Sequence, residues 1–252
     1  GYQTPIVLHP MREDGFLNID KENYLAKERM GNLLFYKDAH GNYPQRIING
    51  NLHIIAFELT PTDNKKFSRS NMLEHIGIGK QQNISLSFNK IYDWILSFWD
   101  SKYHFKDIDK TTKLWEDASD YIVYKTLKIV SNYKKYHPIY TYLSKKAASY
   151  EELCKKLTPL YDDFTHITKK LLRTIMYLKF NLYDKERNIY NLHDVDEFIM
   201  NHIGEDIHEK YKLQSIDLLP PPIFKQKLYL QKEGQNGVID FSNLSSGERQ
   251  IA

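Results

Sequence analysis

The sequence predicts an α+β fold in which strands near both ends of the chain flank a large block of helices. Three observations predict it: short apolar stretches alternate with turn residues at the start, apolar side chains then recur every three or four positions, and two strand patterns return near the end. This order is typical of an inserted or flanking helical subdomain. We expect a strand-rich lobe at 1–62, a helical subdomain at 63–222, and a returning hairpin with a terminal motif at 223–252.

The strand-rich lobe is predicted from its turn residues. Residues 4–10, TPIVLHP, form one candidate strand, and residues 32–61 contain three more. The turn signals His40-Gly41-Asn42 and Asn49-Gly50-Asn51 separate these three. Residues 21–30, KENYLAKERM, predict a short helix.

The helical block is predicted from apolar spacing. Residues 88–101 carry apolar side chains at offsets of three and four, and residues 110–136 continue in the same way, with His137-Pro138 as the expected stop. Residues 160–183 predict one long amphipathic helix, and residues 193–211 predict a last one. The apolar repeat of the long helix consists of Leu160, Phe164, Ile167, Leu171, Ile175 and Leu178.

The returning hairpin follows Pro220-Pro221-Pro222, which enforces an extended segment. Residues 223–234 and 238–241 read as two strands, and Asn236-Gly237 between them is a tight-turn signal.

Composition excludes several classes of protein. The chain has 252 residues, a formal charge of +3 and 41% hydrophobic residues, so it can bury a core and lacks the concentrated positive charge of a dedicated nucleic-acid module. No apolar run approaches the roughly 20 residues that span a bilayer, so we expect no membrane contact. Cys154 is the single cysteine, which favours a reducing cytoplasm. The chain opens on Gly1 without an initiator Met, and we expect it to be a piece of a longer protein.

The terminal stretch SNLSSGERQIA, residues 242–252, carries the most specific motif. Ser245-Ser246-Gly247-Glu248 fits the S-x-x-E capping box, in which the Ser and Glu side chains satisfy backbone N–H groups of a helix start. With Leu244 the match extends: LSSGE resembles the signature motif of the ABC-type ATPase superfamily, written LSGGQ in transporters and LS-x-G-E in the SMC, RecF and OLD-like branch. Ser246 stands where transporters have Gly, which favours the prokaryotic ATPases related to OLD nucleases and anti-phage systems.

The resemblance implies a strand-rich part of an ABC-ATPase-like nucleotide lobe with a helical subdomain before the signature. In the family, the signature caps the γ-phosphate of ATP bound by the other protomer, so Ser245, Ser246, Gly247 and Glu248 would contact ATP in an ATP-closed homodimer. DNA repair or phage defence is the setting that the resemblance implies. ATP and Mg would be bound by the complete protein.

The rest of an ATP site is missing from this sequence. The only Gly-Lys pair, in EHIGIGKQQN, has Glu74 where a P-loop has its first Gly and Gln81 where it has Ser or Thr. No apolar run ending in Asp-Glu provides a Walker B strand. We therefore expect no catalytic residue and no bound cofactor in this chain alone, with the P-loop before Gly1 and Walker B after Ala252.

Three other interpretations stay open. The chain could be a helical binding or scaffold module in which S-x-x-E is only a helix cap. Glu205-x-x-His208, with His202 and Asp206, has metal-ligand spacing, although a solvated helix face explains it better and we predict no metal site. Lysines and tyrosines in YKTLKIVSNYKKYHPIYTYLSKK suggest contact with nucleic acid or a partner protein, but the acids Asp162, Asp163 and Asp184 nearby would dilute that field.

Overall fold

The computed structural model confirms the α+β class, because helices and an antiparallel sheet are both present. It describes residues 12–13, 16–17, 33–35, 38–48, 51–62, 69, 72, 85–105, 110–144, 149–183, 189–202, 209 and 215–244. The strands are β1 Arg12–Glu13, β2 Phe16–Leu17, β3 Ile47–Ile48, β4 Leu52–Pro61, β5 Ile189–Asn191, β6 Phe224–Lys232 and β7 Val238–Asp240. The helices are α1 Ser85–Tyr103, α2 Lys113–Asn132, α3 His137–Ser144, α4 Tyr150–Tyr161, α5 Lys169–Phe180 and α6 Leu192–His202.

Two compact units divide the chain. The first comprises Gly1–Ile55 with Leu228–Ala252, and the second comprises Ala56–Lys227. The strands β3, β4, β6 and β7 lie side by side in that order, and β5 also pairs with β4.

The first unit contains the hairpins. β1 pairs with β2, β3 pairs with the start of β4, and β6 pairs with β7, all in antiparallel fashion. Its described core consists of Leu34, Phe35, Ile48, Ile54, Leu228, Leu230, Phe241 and Leu244.

The second unit is a helical insertion whose two ends meet. The chain leaves β4 at Thr62 and returns at Ile223, and the Thr62 backbone N–H donates a hydrogen bond to the Ile223 carbonyl oxygen at 2.8 Å. The Thr62 hydroxyl donates to the same oxygen at 3.0 Å. Within this unit, the segment that leads into the helices and the segment that leads out of them are therefore hydrogen-bonded to each other.

Helix α2 is the centre of this second unit. All residues from Ala118 to Tyr124 are buried, so none of its faces is open to water at this level. It packs against α1, α3 and α5. The side chain of Thr112 caps its start by accepting the Trp115 backbone N–H at 3.2 Å.

The prediction of one long helix over 160–183 is wrong, because the structure has two helices separated by a turn. Helix α4 ends at Tyr161 and α5 begins at Lys169. In the intervening turn, the Asp163 carboxylate accepts the Thr165 backbone N–H at 2.8 Å, and the Thr168 hydroxyl donates to the Asp163 carbonyl oxygen. These local side-chain bonds offer the backbone an alternative to the helical ladder.

Three other sequence predictions needed correction. Pro138 was expected to stop a helix, but α2 ends earlier and Pro138 lies in the first turn of α3, where its missing N–H costs nothing. The hairpin turn is not Asn236-Gly237, because the Gln235 N–H donates to the Lys232 carbonyl and Gly234 takes the left-handed φ of 73°. Leu33 is helical and the next two residues form a turn, where a strand was predicted.

Among the other predictions, one turn is confirmed and two segments lie outside the described residues. The turn at His40-Gly41-Asn42 is confirmed: Gly41 has φ 81°, and the Asp38 carboxylate accepts the backbone N–H groups of His40 and Asn42. The candidate strand 4–10 and the candidate helix 21–30 lie outside the described residues. Across the described part of the chain, the search for a helix long and apolar enough to cross a bilayer finds none.

Candidate functional site

The signature-like motif lies directly behind the β6–β7 hairpin. β7 is held in register by the pairs Leu230–Ile239 and Tyr229–Asp240. A one-turn 3-10 helix, Phe241–Asn243, follows it, and the Asp240 carboxylate caps that turn by accepting the Ser242 backbone N–H at 2.8 Å.

Two side chains anchor this last described turn. Phe241 and Leu244 are 7% and 6% exposed and belong to the core of the first unit, whereas Ser242 and Asn243 between them are exposed. Leu244 has an extended backbone, with φ −64° and ψ 143°, and its N–H donates to the Phe241 carbonyl at 3.3 Å. The first residue of LSSGE is therefore fixed in position and direction.

The remaining motif residues, Ser245, Ser246, Gly247 and Glu248, lie outside the described residues, as do Glu74 and Gln81 of the P-loop-like segment. The structure thus brings the chain up to the motif and gives no geometry for its polar groups.

A second S-x-x-E sequence in the same chain shows what such a pattern does as a cap. Ser149 precedes α4, and its hydroxyl oxygen accepts the backbone N–H of Glu152 at 3.2 Å. This segment, SYEE, has Glu151 where the terminal motif has Gly247. The S-x-x-E pattern by itself therefore indicates only a helix cap, and any nucleotide-binding role of the terminal motif depends on Leu244 and Gly247.

The metal-ligand candidates cannot be assembled from the described residues. Glu205, Asp206 and His208 lie outside them, and of His202 only the backbone at the end of α6 is described. Within the described part of the chain, the search for groups of three or more metal-ligating side chains finds none.

The lysine- and tyrosine-rich segment forms the end of α2, the 3-10 helix Lys134–Tyr136 and the start of α3. Asp163, expected to dilute its charge, does form an ion pair with one of its lysines, although the Asp163 side chain is buried and only 1% exposed. It accepts hydrogen bonds from the Tyr136 hydroxyl and from the Lys135 ammonium, the latter at 3.1 Å. Sequence spacing gave no sign of this cluster, because its members are 27 and 28 positions apart.

Two buried carboxylates in this unit have opposite pKa shifts. Burial alone would raise the pKa of Asp163, but the hydrogen bonds from Thr165 and Tyr136 and the Lys135 ammonium lower it well below its usual range. Burial raises the pKa of Asp120, although its carboxylate accepts the Tyr92 hydroxyl at 2.7 Å and the Arg69 backbone N–H at 3.1 Å. Burial, together with the hydrogen bond to the Asp163 carboxylate, raises the pKa of Tyr136 to about 12.

A small cavity beside Asp163 is lined mainly by side chains of α1, α4 and α5, among them Trp99, Tyr103 and Leu171. It has room for about one water molecule, which excludes it as a site for an organic ligand.

Comparison of the chain with protein-family models, with curated proteins and with solved structures finds no match.

Proposed function

We propose that this chain supplies the signature side of a composite ATP site in an ATPase of the SMC, RecF and OLD-like kind. The complete protein would bind ATP and Mg through a P-loop outside this span and close as a homodimer. Ser245, Ser246, Gly247 and Glu248 of one subunit would then face the γ-phosphate held by the other. The single Cys154 fits action in a reducing cytoplasm.

The observation that carries the proposal is the anchored approach to the motif. Leu244 is both the first matched residue of LSSGE and a buried member of the strand-rich core. A group that must meet a phosphate across a subunit boundary needs a rigid support, because small displacements weaken such contacts. The capped turn at 241–243 and the β6–β7 hairpin provide that support.

The residue types suit an anion. A Ser hydroxyl can donate to a phosphate oxygen, Gly lets backbone N–H groups approach closely, and the N-terminus of a helix carries partial positive charge. The Ser149 cap has no Gly at the corresponding position, so the two S-x-x-E segments differ in the feature that phosphate approach requires.

The first experiment compares these two serines in the complete protein. Ser245→Ala and Ser149→Ala each remove the serine hydroxyl of an S-x-x-E sequence and should each cost about 1 kcal/mol of unfolding free energy. Ser245→Ala should in addition lower ATP turnover by tens to hundreds of fold, on the order expected from one lost contact to a developing charge. Ser149→Ala should leave turnover per folded molecule unchanged.

The second experiment mixes subunits. A bulky substitution at Gly247 in a subunit with an intact P-loop should be rescued by a partner that has a broken P-loop and a wild-type LSSGE, because each composite site pairs one of each. If such mixtures stay inactive while both variants fold and dimerise, or if Ser245→Ala hydrolyses ATP at the normal rate, the proposal fails. The helix cap observed at Ser149 then favours the alternative, a helical binding or scaffold module in which S-x-x-E is only a helix cap.

A third experiment uses the 252-residue chain alone. Without a P-loop, the chain lacks the backbone cradle, the Lys and the hydroxyl that hold Mg-ATP. Titration calorimetry should therefore show little heat with Mg-ATP, and tight Mg-dependent binding would mean that the nucleotide site lies elsewhere.

A further inference from the structure

The second unit presents a surface that combines exposed lysines with exposed aromatic rings. We call it the lysine–tyrosine corner and define it as residues 124–141, which are the end of α2, the 3-10 helix Lys134–Tyr136 and the start of α3. The longer segment 121–149 contains six lysines, six tyrosines and no Asp or Glu. Its positive charge therefore has no local source of neutralisation along the chain.

Three cations of the corner are exposed. Lys128 is exposed, and its ammonium donates to the Tyr124 hydroxyl at 3.0 Å, with no carboxylate partner among the residues that the structure describes. Lys134 is exposed and makes no ion pair within the described residues. Lys135 does pair with Asp163, yet its side chain remains 63% exposed because the carboxylate lies beneath it.

The aromatic groups lie between these cations. Tyr133 connects α2 to the 3-10 helix and is 38% exposed. His137 and Tyr140 form a stacked ring pair with centroids 6.0 Å apart and planes at 27°. His137 is exposed as well, so rings and ammonium groups alternate along the corner.

Helix α4 of the same unit provides a contrast. Its lysines are neutralised one turn away: Lys155 lies 2.7 Å from Glu151, and Lys156 lies 3.8 Å from Glu152. The number of lysines alone would not distinguish this helix from the corner. The difference is that neighbouring glutamates neutralise the lysines of α4.

We propose that the lysine–tyrosine corner binds single-stranded nucleic acid, with Lys128 and Lys134 contacting phosphates and Tyr133 and the His137–Tyr140 pair stacking on unpaired bases. Phosphate contacts supply affinity without sequence preference, and stacking requires bases that are free of a duplex. This binding is independent of the ATP site and requires no nucleotide.

The experiment measures fluorescence anisotropy of labelled oligonucleotides of about 20 nucleotides, as single-stranded DNA, single-stranded RNA and duplex DNA, with the whole chain. Both single strands should bind more tightly than the duplex, and the DNA and RNA arms show which sugar is preferred. The double variant Lys128→Gln/Lys134→Gln should weaken binding about tenfold and reduce the slope of log affinity against log salt by about 1.4. The matched control, Lys155→Gln/Lys156→Gln, removes the same charge from α4 and should change binding little.

Tyr133→Ala tests the stacking. Its backbone bonds in the helix junction remain, since the Tyr133 N–H donates to Ile129 and its carbonyl accepts from Tyr136. It should weaken single-strand binding at least about fivefold and leave the salt slope unchanged. Any of four results would overturn the proposal. The two lysine variants could lose affinity equally, duplex DNA could bind as tightly as single strands, or Tyr133→Ala could leave binding unaffected. The fourth result is that the chain binds only vesicles of anionic lipid and none of the oligonucleotides. Circular dichroism of every variant confirms that the fold is kept.

Discussion

Asp120 and Asp163 are both buried in the helical unit, at 6% and 7% exposure, and both accept a hydrogen bond from a tyrosine hydroxyl. Their environments otherwise differ. Asp163 lies in a turn, where it also accepts a backbone N–H from Thr165 and faces the Lys135 ammonium. Asp120 lies in the middle of α2, where its carboxylate accepts the Arg69 backbone N–H at 3.1 Å and the like charge of Glu116 lies one turn away.

This difference decides which carboxylate is stable as an anion. The pKa of Asp163 is lowered and that of Asp120 is raised, although burial raises the pKa in both cases. Burial alone therefore does not determine the charge state of an acid. Thr165 in the turn between α4 and α5, together with Tyr136 and Lys135 of the 3-10 helix, supplies the donors that keep Asp163 ionised. The ionised carboxylate in turn fixes the base of the lysine–tyrosine corner.

The largest effect is expected from Asp163→Ala. It leaves the Tyr136 hydroxyl and the Thr165 N–H without their acceptor and should lower the free energy of unfolding by about 3 kcal/mol. Urea denaturation measures this, with Asp162→Ala as the control because the neighbouring Asp162 is exposed. Equal costs for the two substitutions would show that the carboxylate cluster contributes nothing to stability.

A smaller cost is expected from Tyr136→Phe. It removes one hydrogen bond to an ionised, buried carboxylate and keeps the ring, and it should cost about 1.5 kcal/mol. Tyr92→Phe is the matched change at Asp120, whose ionised form is less stable, and it should cost less. A larger fall in the urea midpoint for Tyr92→Phe than for Tyr136→Phe at pH 7 would contradict the proposed difference between Asp120 and Asp163.

The sequence predicted helix α1 well because one apolar face carries its packing: Ile91, Ile95 and Phe98 are all buried. It missed the break between α4 and α5 because Leu160 and Leu171 continue the apolar period on either side of the break. Asp163 breaks the helix through its local bonds with Thr165 and Thr168, and its carboxylate is also held by Tyr136 on another element. Spacing along one segment cannot reveal a hydrogen bond of that kind.

The candidate site likewise has features that the sequence shows and features that only the tertiary structure shows. Ser245 and Gly247 could be recognised from their letters alone, since the motif is contiguous. The anchoring of Leu244 depends on tertiary packing and was found only in the structure. The S-x-x-E at Ser149 is equally visible in the sequence, but only its hydrogen bond with the Glu152 backbone N–H identifies it as a helix cap.

The pH dependence of two further variants should have opposite signs. Asp163 has a lowered folded pKa, so its stabilisation is present above its unfolded value of about 3.9 and is lost as pH falls towards the folded value. The cost of Asp163→Asn should therefore be larger at pH 7 than at pH 3. Asp120 has a raised folded pKa, so its stabilisation is present below about pH 3.9 and is lost as pH rises through the folded value. The cost of Asp120→Asn should be larger at pH 3, and parallel profiles for the two variants would contradict the assigned directions.

The smallest effect is expected from Lys135→Gln. The hydrogen bond to Asp163 raises the pKa of Lys135, but the ammonium is mostly in water, where ions screen it and the side chain loses entropy when it is held. The change should shift the urea midpoint less than Tyr136→Phe does, and the difference from wild type should shrink further when salt is added. Lys134→Gln, a neighbouring exposed lysine without a carboxylate partner in the described part of the chain, is the control and should show no such salt dependence in stability. If Lys135→Gln destabilises the protein as much as Tyr136→Phe, the exposed ion pair contributes as much as the tyrosine hydrogen bond to keeping Asp163 charged, and the expected order is wrong.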